Sequence, residues 1–185
     1  MTYRTLSLVL VAVLAGCASM GSGTKAEKQQ AIREMKDSTL TQLFKTKPGT
    51  RTELSSAPGY AVFSNVNVNV ILFAAGTGYG LVKDNSSGKY TYMNMAEGGI
   101  GFGLGAKDYR IVMVFHTRDA MRQFVESGWT FGGNADAALK ANDKGGAVQG
   151  EAYFGNVTVY TFTKSGIALQ ATVKGTKFWV DGALK

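Results

Sequence analysis

The chain has little of the side chains on which most enzyme sites depend. Its 185 residues include one cysteine, Cys17, and one histidine, His116. A single cysteine excludes an intramolecular disulfide, so the fold must rest on its hydrophobic core. One thiol and one imidazole are also too few ligands for the common zinc sites, and no run of alternating acids indicates a calcium loop. We therefore expect no catalytic residues, no metal and no cofactor.

The few candidate chemical groups have ordinary structural explanations. His116 ends a strand pattern, and a surface or core position there explains it better than catalysis. Asp136 and Asp143 flank glycine and asparagine, as solvated turn residues do. A Ser/His/Asp site stays open, although nothing resembles the strained turn that presents a nucleophilic serine. A hydrolase that depends on His116 is therefore our third hypothesis.

Proline is scarce and glycine is abundant. The two prolines are Pro48 and Pro58, against 24 glycines. This balance favours turns and strands with bare faces over a disordered tract, in which both residues are usually enriched.

The amino terminus predicts an exported and acylated protein. After Arg4, an apolar run from Leu6 to Gly16 is too short to span a bilayer and is typical of a signal peptide. Its end, Leu-Ala-Gly-Cys17, resembles the lipobox of bacterial lipoproteins, which implies cleavage before Cys17 and acylation of that residue. Ala18 follows, which favours the outer membrane under the sorting rule of those lipoproteins. We predict a signal peptide over residues 1–16, an acylated tether over 17–25 and a domain over 26–185 that faces the periplasm.

The domain pattern begins with one helix and continues mainly as strands. A helix is predicted from Ala26 to Lys45, with an apolar stripe, and Pro48 ends it. Short strands follow from Gly59, with a turn at residues 84–88. Short helices are predicted over 118–127, capped by Thr117, and over 135–141, with an edge strand over 176–180. The predicted fold is α+β: a strongly curved antiparallel sheet or barrel of short strands, an N-terminal helix and one or two short helices.

Two strands carry glycine at every second position. Gly76, Gly78 and Gly80 recur 23 residues later as Gly99, Gly101 and Gly103. The second copy can be aligned with a dinucleotide-binding fingerprint, but a strand pattern follows it where that fingerprint needs a helix. Two explanations stay open. A neighbouring layer or sharp curvature can require the bare backbone, or Gly99, Gly101 and Gly103 can line an apolar groove for an acyl chain.

Several segments, taken together in order, resemble the SYLF domain. They are "GYAVFSNV" (59–66), "GTGYGLV" (76–82), "GGIGFGLGAKDYRIVMVF" (98–115), "FGGNADAAL" (131–139) and "VYTFTKSGIALQATVKG" (159–175). Ala168, Ala171 and Asn142 depart from the family pattern. Eukaryotic SYLF proteins bind phosphoinositides through a basic amphipathic N-terminal segment, and some bind actin. The resemblance implies a role in binding anionic phospholipid for four residues of the predicted helix: Lys28, Arg33, Lys36 and Lys45.

Charge agrees with a lipid surface as the partner. The net charge is +7, and the excess of lysine and arginine lies toward the two ends of the chain. Each basic residue near an anionic membrane contributes about 1 kcal/mol, although a solvated helix face has the same composition. Nucleic acid is not expected as a partner in the periplasm. We expect a non-catalytic lipid-binding lipoprotein. The alternative is a tethered structural or protein-interaction module of the cell envelope.

Overall fold

The computed structural model describes residues 23–128, 130–131, 151–163 and 175–185. Several predictions lie outside these residues: the signal peptide, the acylation site Cys17 and the helix over 135–141. The other predicted elements can be compared with the structure directly.

Helix α1 spans Lys25–Thr46, one residue longer at each end than predicted. A capping box begins it. The Thr24 hydroxyl accepts a 3.3 Å hydrogen bond from the Glu27 amide, and the Glu27 carboxylate accepts one of 2.7 Å from the Thr24 amide. The Thr24 backbone contact is the main reason that the pKa of Glu27 is lowered. The predicted apolar stripe faces the domain, with Ile32 and Leu43 each 2% exposed. A second helix, α2, spans Thr50–Ser56.

Two strands of 26 residues each form the centre of the domain. They are β1 (Gly59–Asp84) and β2 (Tyr90–Phe115), paired antiparallel along almost their whole length. The predicted turn at residues 84–88 joins them, and Gly88 adopts a φ of 69° there. The prediction of separate short strands in this region was therefore too fragmented, because the register continues through the segments that had been read as breaks.

The remaining elements complete a six-stranded antiparallel sheet. Helix α3 (Arg118–Ser127) begins at the predicted Thr117 cap and ends at Gly128. Short strands follow: β3 (Thr130–Phe131), β4 (Glu151–Phe154), β5 (Val157–Thr163) and β6 (Gly175–Val180), and a 3-10 turn, η1, spans Gly182–Leu184.

The order of the strands in the sheet can be compared with the predicted topology. Strand β2 pairs with β1 along one edge and with β5 and β6 along different parts of the other. Strands β4 and β3 flank β5 and β6. The α+β prediction is confirmed, and within the described ranges the sheet is open. The predicted edge position of residues 176–180 was wrong, because β6 lies between β2 and β3.

Strand β1 bends back so that its two ends pack together. A Cβ built on Gly78 would lie less than 3.0 Å from the Ser64 carbonyl oxygen, and one on Gly80 would lie equally close to that of Val62. The Asn85 amide donates a 3.0 Å hydrogen bond to the Pro58 carbonyl. Gly78 and Gly80, from the first set of glycines, therefore permit close approach of backbone to backbone, as the structural explanation of the pattern requires.

Two hydrophobic cores lie on opposite faces of the sheet. The first packs α1 and α2 against alternate strand residues such as Val62 and Val112. The second core packs α3 against the strand residues that alternate with those of the first core. In it, the rings of Phe63, Phe124 and Phe178 contact one another at centroid distances of 4.8 to 6.1 Å.

Candidate membrane-binding site

Helix α1 positions the four basic residues predicted to bind lipid, but it does not place them on one face. Lys45 is exposed, Lys28 and Arg33 are half-buried and Lys36 is buried. Lys28 and Lys45 lie about 26 Å apart along the axis and about 100° apart around it. Arg33 donates a 2.6 Å hydrogen bond to the Tyr92 hydroxyl on β2. The four residues therefore form a band that wraps around the helix.

Lys36 is held inside the domain. Its side chain is 9% exposed, and its ammonium lies 2.7 Å from the Asp37 carboxylate and 5.4 Å from the centre of the Tyr90 ring. Burial, the largest single influence, lowers the pKa of Lys36. The hydrogen bond to Asp37 and the charges of Asp37, Tyr60 and Tyr90 together outweigh burial and raise the pKa. The structure thus gives Lys36 partners within the fold.

The carboxyl end of α1 adds two cations that the sequence analysis did not select. The Arg51 guanidinium lies 4.4 Å from the centre of the Phe44 ring, and the Lys47 ammonium lies 5.2 Å from that of Tyr160. Together with Lys45, they form a basic group at this end of the helix. Residues 38–52 contain no acid, which was the signal in the sequence. Tyr160, the partner of Lys47, is more than 100 residues away in the sequence, so this cation–π contact could not be predicted.

The amino end of α1 is joined to the chain's carboxyl terminus. The Gln29 side chain donates a 3.0 Å hydrogen bond to the Leu184 carbonyl, and the Lys25 ammonium donates to the Lys185 carbonyl. The Asp181 amide donates a 2.9 Å hydrogen bond to the Tyr92 carbonyl. The two basic ends noted in the sequence therefore meet, and Lys25, Lys28 and Lys185 lie where the chain before residue 23 enters the domain.

The second glycine set lies in the middle of β2. Gly99 pairs with Ala74 and Gly103 with Ile71, and a register shift lies opposite Gly101. Because β2 continues as a strand to Phe115, no helix follows that could receive a phosphate, which excludes the dinucleotide fingerprint. The acyl groove along Gly99, Gly101 and Gly103 stays a prediction.

His116 takes part in a polar link between α2 and the sheet. Its Nε2 lies 2.7 Å from the Thr158 hydroxyl and 3.8 Å from the Glu53 carboxylate. The Tyr160 hydroxyl donates to the same carboxylate. These contacts give His116 a structural explanation, as the sequence analysis preferred. Among the residues described, no helix combines the length and the apolar character needed to cross a bilayer.

Comparison with known proteins identifies the family. A family model described as Ysc84, Las17-binding protein actin regulator, matches residues 96–184. The chain is also 30% identical over 158 residues to Beta cell expansion factor A from Aeromonas veronii. That match covers 85% of this chain and spans 59% of the relative's length. Residues 96–184 therefore match the Ysc84 (SYLF) domain family, which the motifs quoted from the sequence had indicated.

Proposed function

We propose that this protein is a non-catalytic lipoprotein of the bacterial outer membrane that binds anionic phospholipid on the periplasmic face. The observation that carries the proposal is the meeting of the two basic chain ends at the amino end of α1, where the predicted tether enters the domain. Lys25, Lys28 and Lys185 would then lie closest to the membrane.

The length of the tether limits how far the domain can stand from the bilayer. Gly23 lies six positions after Cys17, and a fully extended segment of that length reaches about 20 Å. An acyl anchor on Cys17 would hold the amino end of α1 within that distance of the headgroups. A lysine that comes within a Debye length of about 10 Å of the headgroups contributes about 1 kcal/mol of attraction, and the tether is short enough to allow this approach.

Flotation with vesicles tests the proposal. Residues 18–185, which lack the anchor, should float with vesicles that contain phosphatidylglycerol and should stay at the bottom with phosphatidylcholine alone. The double variant Lys28→Glu/Lys45→Glu should lose most of the binding. Its matched control is Arg118→Glu/Arg122→Glu, which makes the same change in net charge on α3, across the sheet from α1.

Equal failure to float with both kinds of vesicle would contradict lipid binding. Equal loss in the two double variants would attribute the binding to net charge and would contradict a specific role for α1.

A tethered protein-interaction module is the second candidate. The family description names Las17 binding and actin regulation, which are interactions with proteins. A stable envelope partner that is still captured by the Lys28→Glu/Lys45→Glu variant would favour this function over lipid binding. Actin itself has no counterpart in the predicted compartment.

A further inference from the structure

Strand β6 presents an exposed indole beside a lysine. Trp179 is 40% exposed and Lys177 is exposed, whereas Phe178 between them is 1% exposed in the second core. Successive side chains of a strand point to opposite faces, so Trp179 and Lys177 share the face that does not enter that core. Trp179 is one of two large apolar side chains that the described residues expose.

The neighbouring strands extend this surface. Trp179 pairs with Asn94, which pairs with Tyr79; Lys177 pairs with Ala96, which pairs with Thr77. Tyr79 is half-buried against the first core, which places the surface on the same side of the sheet as α1. We name the surface formed by Thr77, Tyr79, Lys177 and Trp179 the Trp179 face. It combines two amphipathic aromatic rings with a cation.

The Trp179 face lies close to the point where the chain enters the domain. Three residues after Trp179, turn η1 begins, and the carbonyls of Leu184 and Lys185 accept hydrogen bonds from the first two turns of α1. The predicted acyl anchor on Cys17 lies at most about 20 Å from the start of α1, even when the chain between them is fully extended. The same short tether therefore brings both the amino end of α1 and the Trp179 face near the bilayer.

We propose that the Trp179 face docks on the headgroup region of an anionic phospholipid bilayer and so sets the orientation of the tethered domain. This inference rests on the proposed function. Tryptophan and tyrosine concentrate at membrane interfaces because one part of each ring system is apolar and another part forms hydrogen bonds. Lys177, Lys185 and Lys28 supply the attraction to anionic lipid on the same side.

Tryptophan fluorescence tests the docking directly. The chain has two tryptophans, so Trp129→Phe leaves Trp179 as the one emitter. In residues 18–185, which contain every helix and strand described, we expect a blue shift of Trp179 emission on vesicles with phosphatidylglycerol. Lipids brominated near the headgroup end of their acyl chains should quench the emission.

Binding measurements with a matched pair of variants complete the test. Trp179→Ala should weaken partition into the same vesicles about tenfold, because a partly exposed indole is withdrawn from water on docking. Val66→Ala, at the other exposed large apolar residue described, should leave partition unchanged. Thermal melts of both variants should match the parent, since neither side chain is buried.

The outcomes separate this inference from the function on which it rests. Vesicle binding with unchanged Trp179 emission, or equal partition of the two variants, would overturn docking through the Trp179 face and leave lipid binding by α1 standing. Absence of binding to any vesicle would overturn both. Trp179-dependent capture of a protein, with emission unaffected by lipid, would assign the face to a protein partner instead.

Discussion

The side-chain amide of Asn65 donates a 2.7 Å hydrogen bond to the carboxylate of Glu97 inside the domain. Asn65 is completely buried and Glu97 is 7% exposed. The same amide nitrogen donates to the Tyr109 hydroxyl, while the Asn65 carbonyl oxygen is buried without a hydrogen bond. These three residues form a polar layer at the end of the second core, where the Asn65 amide donates to a buried carboxylate.

Asn65→Asp should destabilise the domain by about 2 kcal/mol at neutral pH, because two carboxylates would then share a buried site. Repulsion between the two carboxylates raises the pKa of the pair above its value in the unfolded chain. The variant should therefore approach the parent's stability at about pH 4 and lose stability as the pH rises through the folded-state pKa. Urea unfolding across this range measures the effect.

The exposed turn residue Asn156 provides the control for this prediction. Asn156→Asp should change the free energy of unfolding by less than about 0.5 kcal/mol at either pH. A flat pH dependence for Asn65→Asp would contradict a buried contact with Glu97.

Glycines at close backbone contacts should not tolerate a methyl group. Gly80→Ala should cost about 3 kcal/mol or more, because its Cβ would overlap the Val62 carbonyl and the Phe63 ring. Gly98 has no atom within 4 Å of such a Cβ, so Gly98→Ala should be neutral or stabilise the domain by up to about 1 kcal/mol. Denaturant midpoints of the two variants compare the effects, and equal midpoints would contradict the folding back of β1.

The turn between β1 and β2 should weaken in acid. Hydrogen bonds from the Ser86 hydroxyl and then the Ser87 amide lower the pKa of Asp84 to about 2. A depressed folded-state pKa contributes stability above the unfolded-state value near 4, and that contribution is lost as the pH falls toward 2. Asp84→Asn should therefore lower the Tm above about pH 4. Below that pH, the Tm of the variant should fall less steeply than the Tm of the parent. Ser86→Ala should reproduce part of the change, and an unaltered acid profile in both variants would contradict the turn geometry.

Two of the predicted lipid-binding residues differ in burial, so their substitution should affect vesicle binding differently. Lys28→Met, at the amino end of α1 where the tether enters, should weaken partition into anionic vesicles about fivefold, which corresponds to about 1 kcal/mol. Lys36→Met should change partition by less than twofold, because the Lys36 ammonium is occupied by Asp37 and Tyr90. Sedimentation with vesicles measures both variants. A larger effect at Lys36 would mean that this side chain leaves its partners at the membrane.

Local signals in the sequence were sufficient for elements that begin and end at specific residues. Thr117 and Gly128 bound α3 as predicted, because a hydroxyl cap and a glycine stop act over a few residues. The turn at Asp84 was predictable for the same reason. The α+β class followed from the change of hydrophobic period after residue 59.

Interactions between distant segments account for what could not be predicted. Glu97 lay between two predicted strands and Asn65 near the end of another, but each is paired within a continuous ladder, and the two meet across 32 residues of sequence. Lys36 was indistinguishable from Lys45 until the helix was placed against Tyr90. The Trp179 face depends on three strands coming together, so its aromatic and basic residues are scattered in the sequence.

The hydrogen bonds from α1 to residues 184 and 185 also constrain when the domain can finish folding. They join residues that are 155 and 160 positions apart. Helix α1 therefore lacks part of its packing until residues 184 and 185 have been made. Loop closure over such distances is slow. We therefore expect these two contacts to form late in folding, after the turn at residues 84–88 and the local helices.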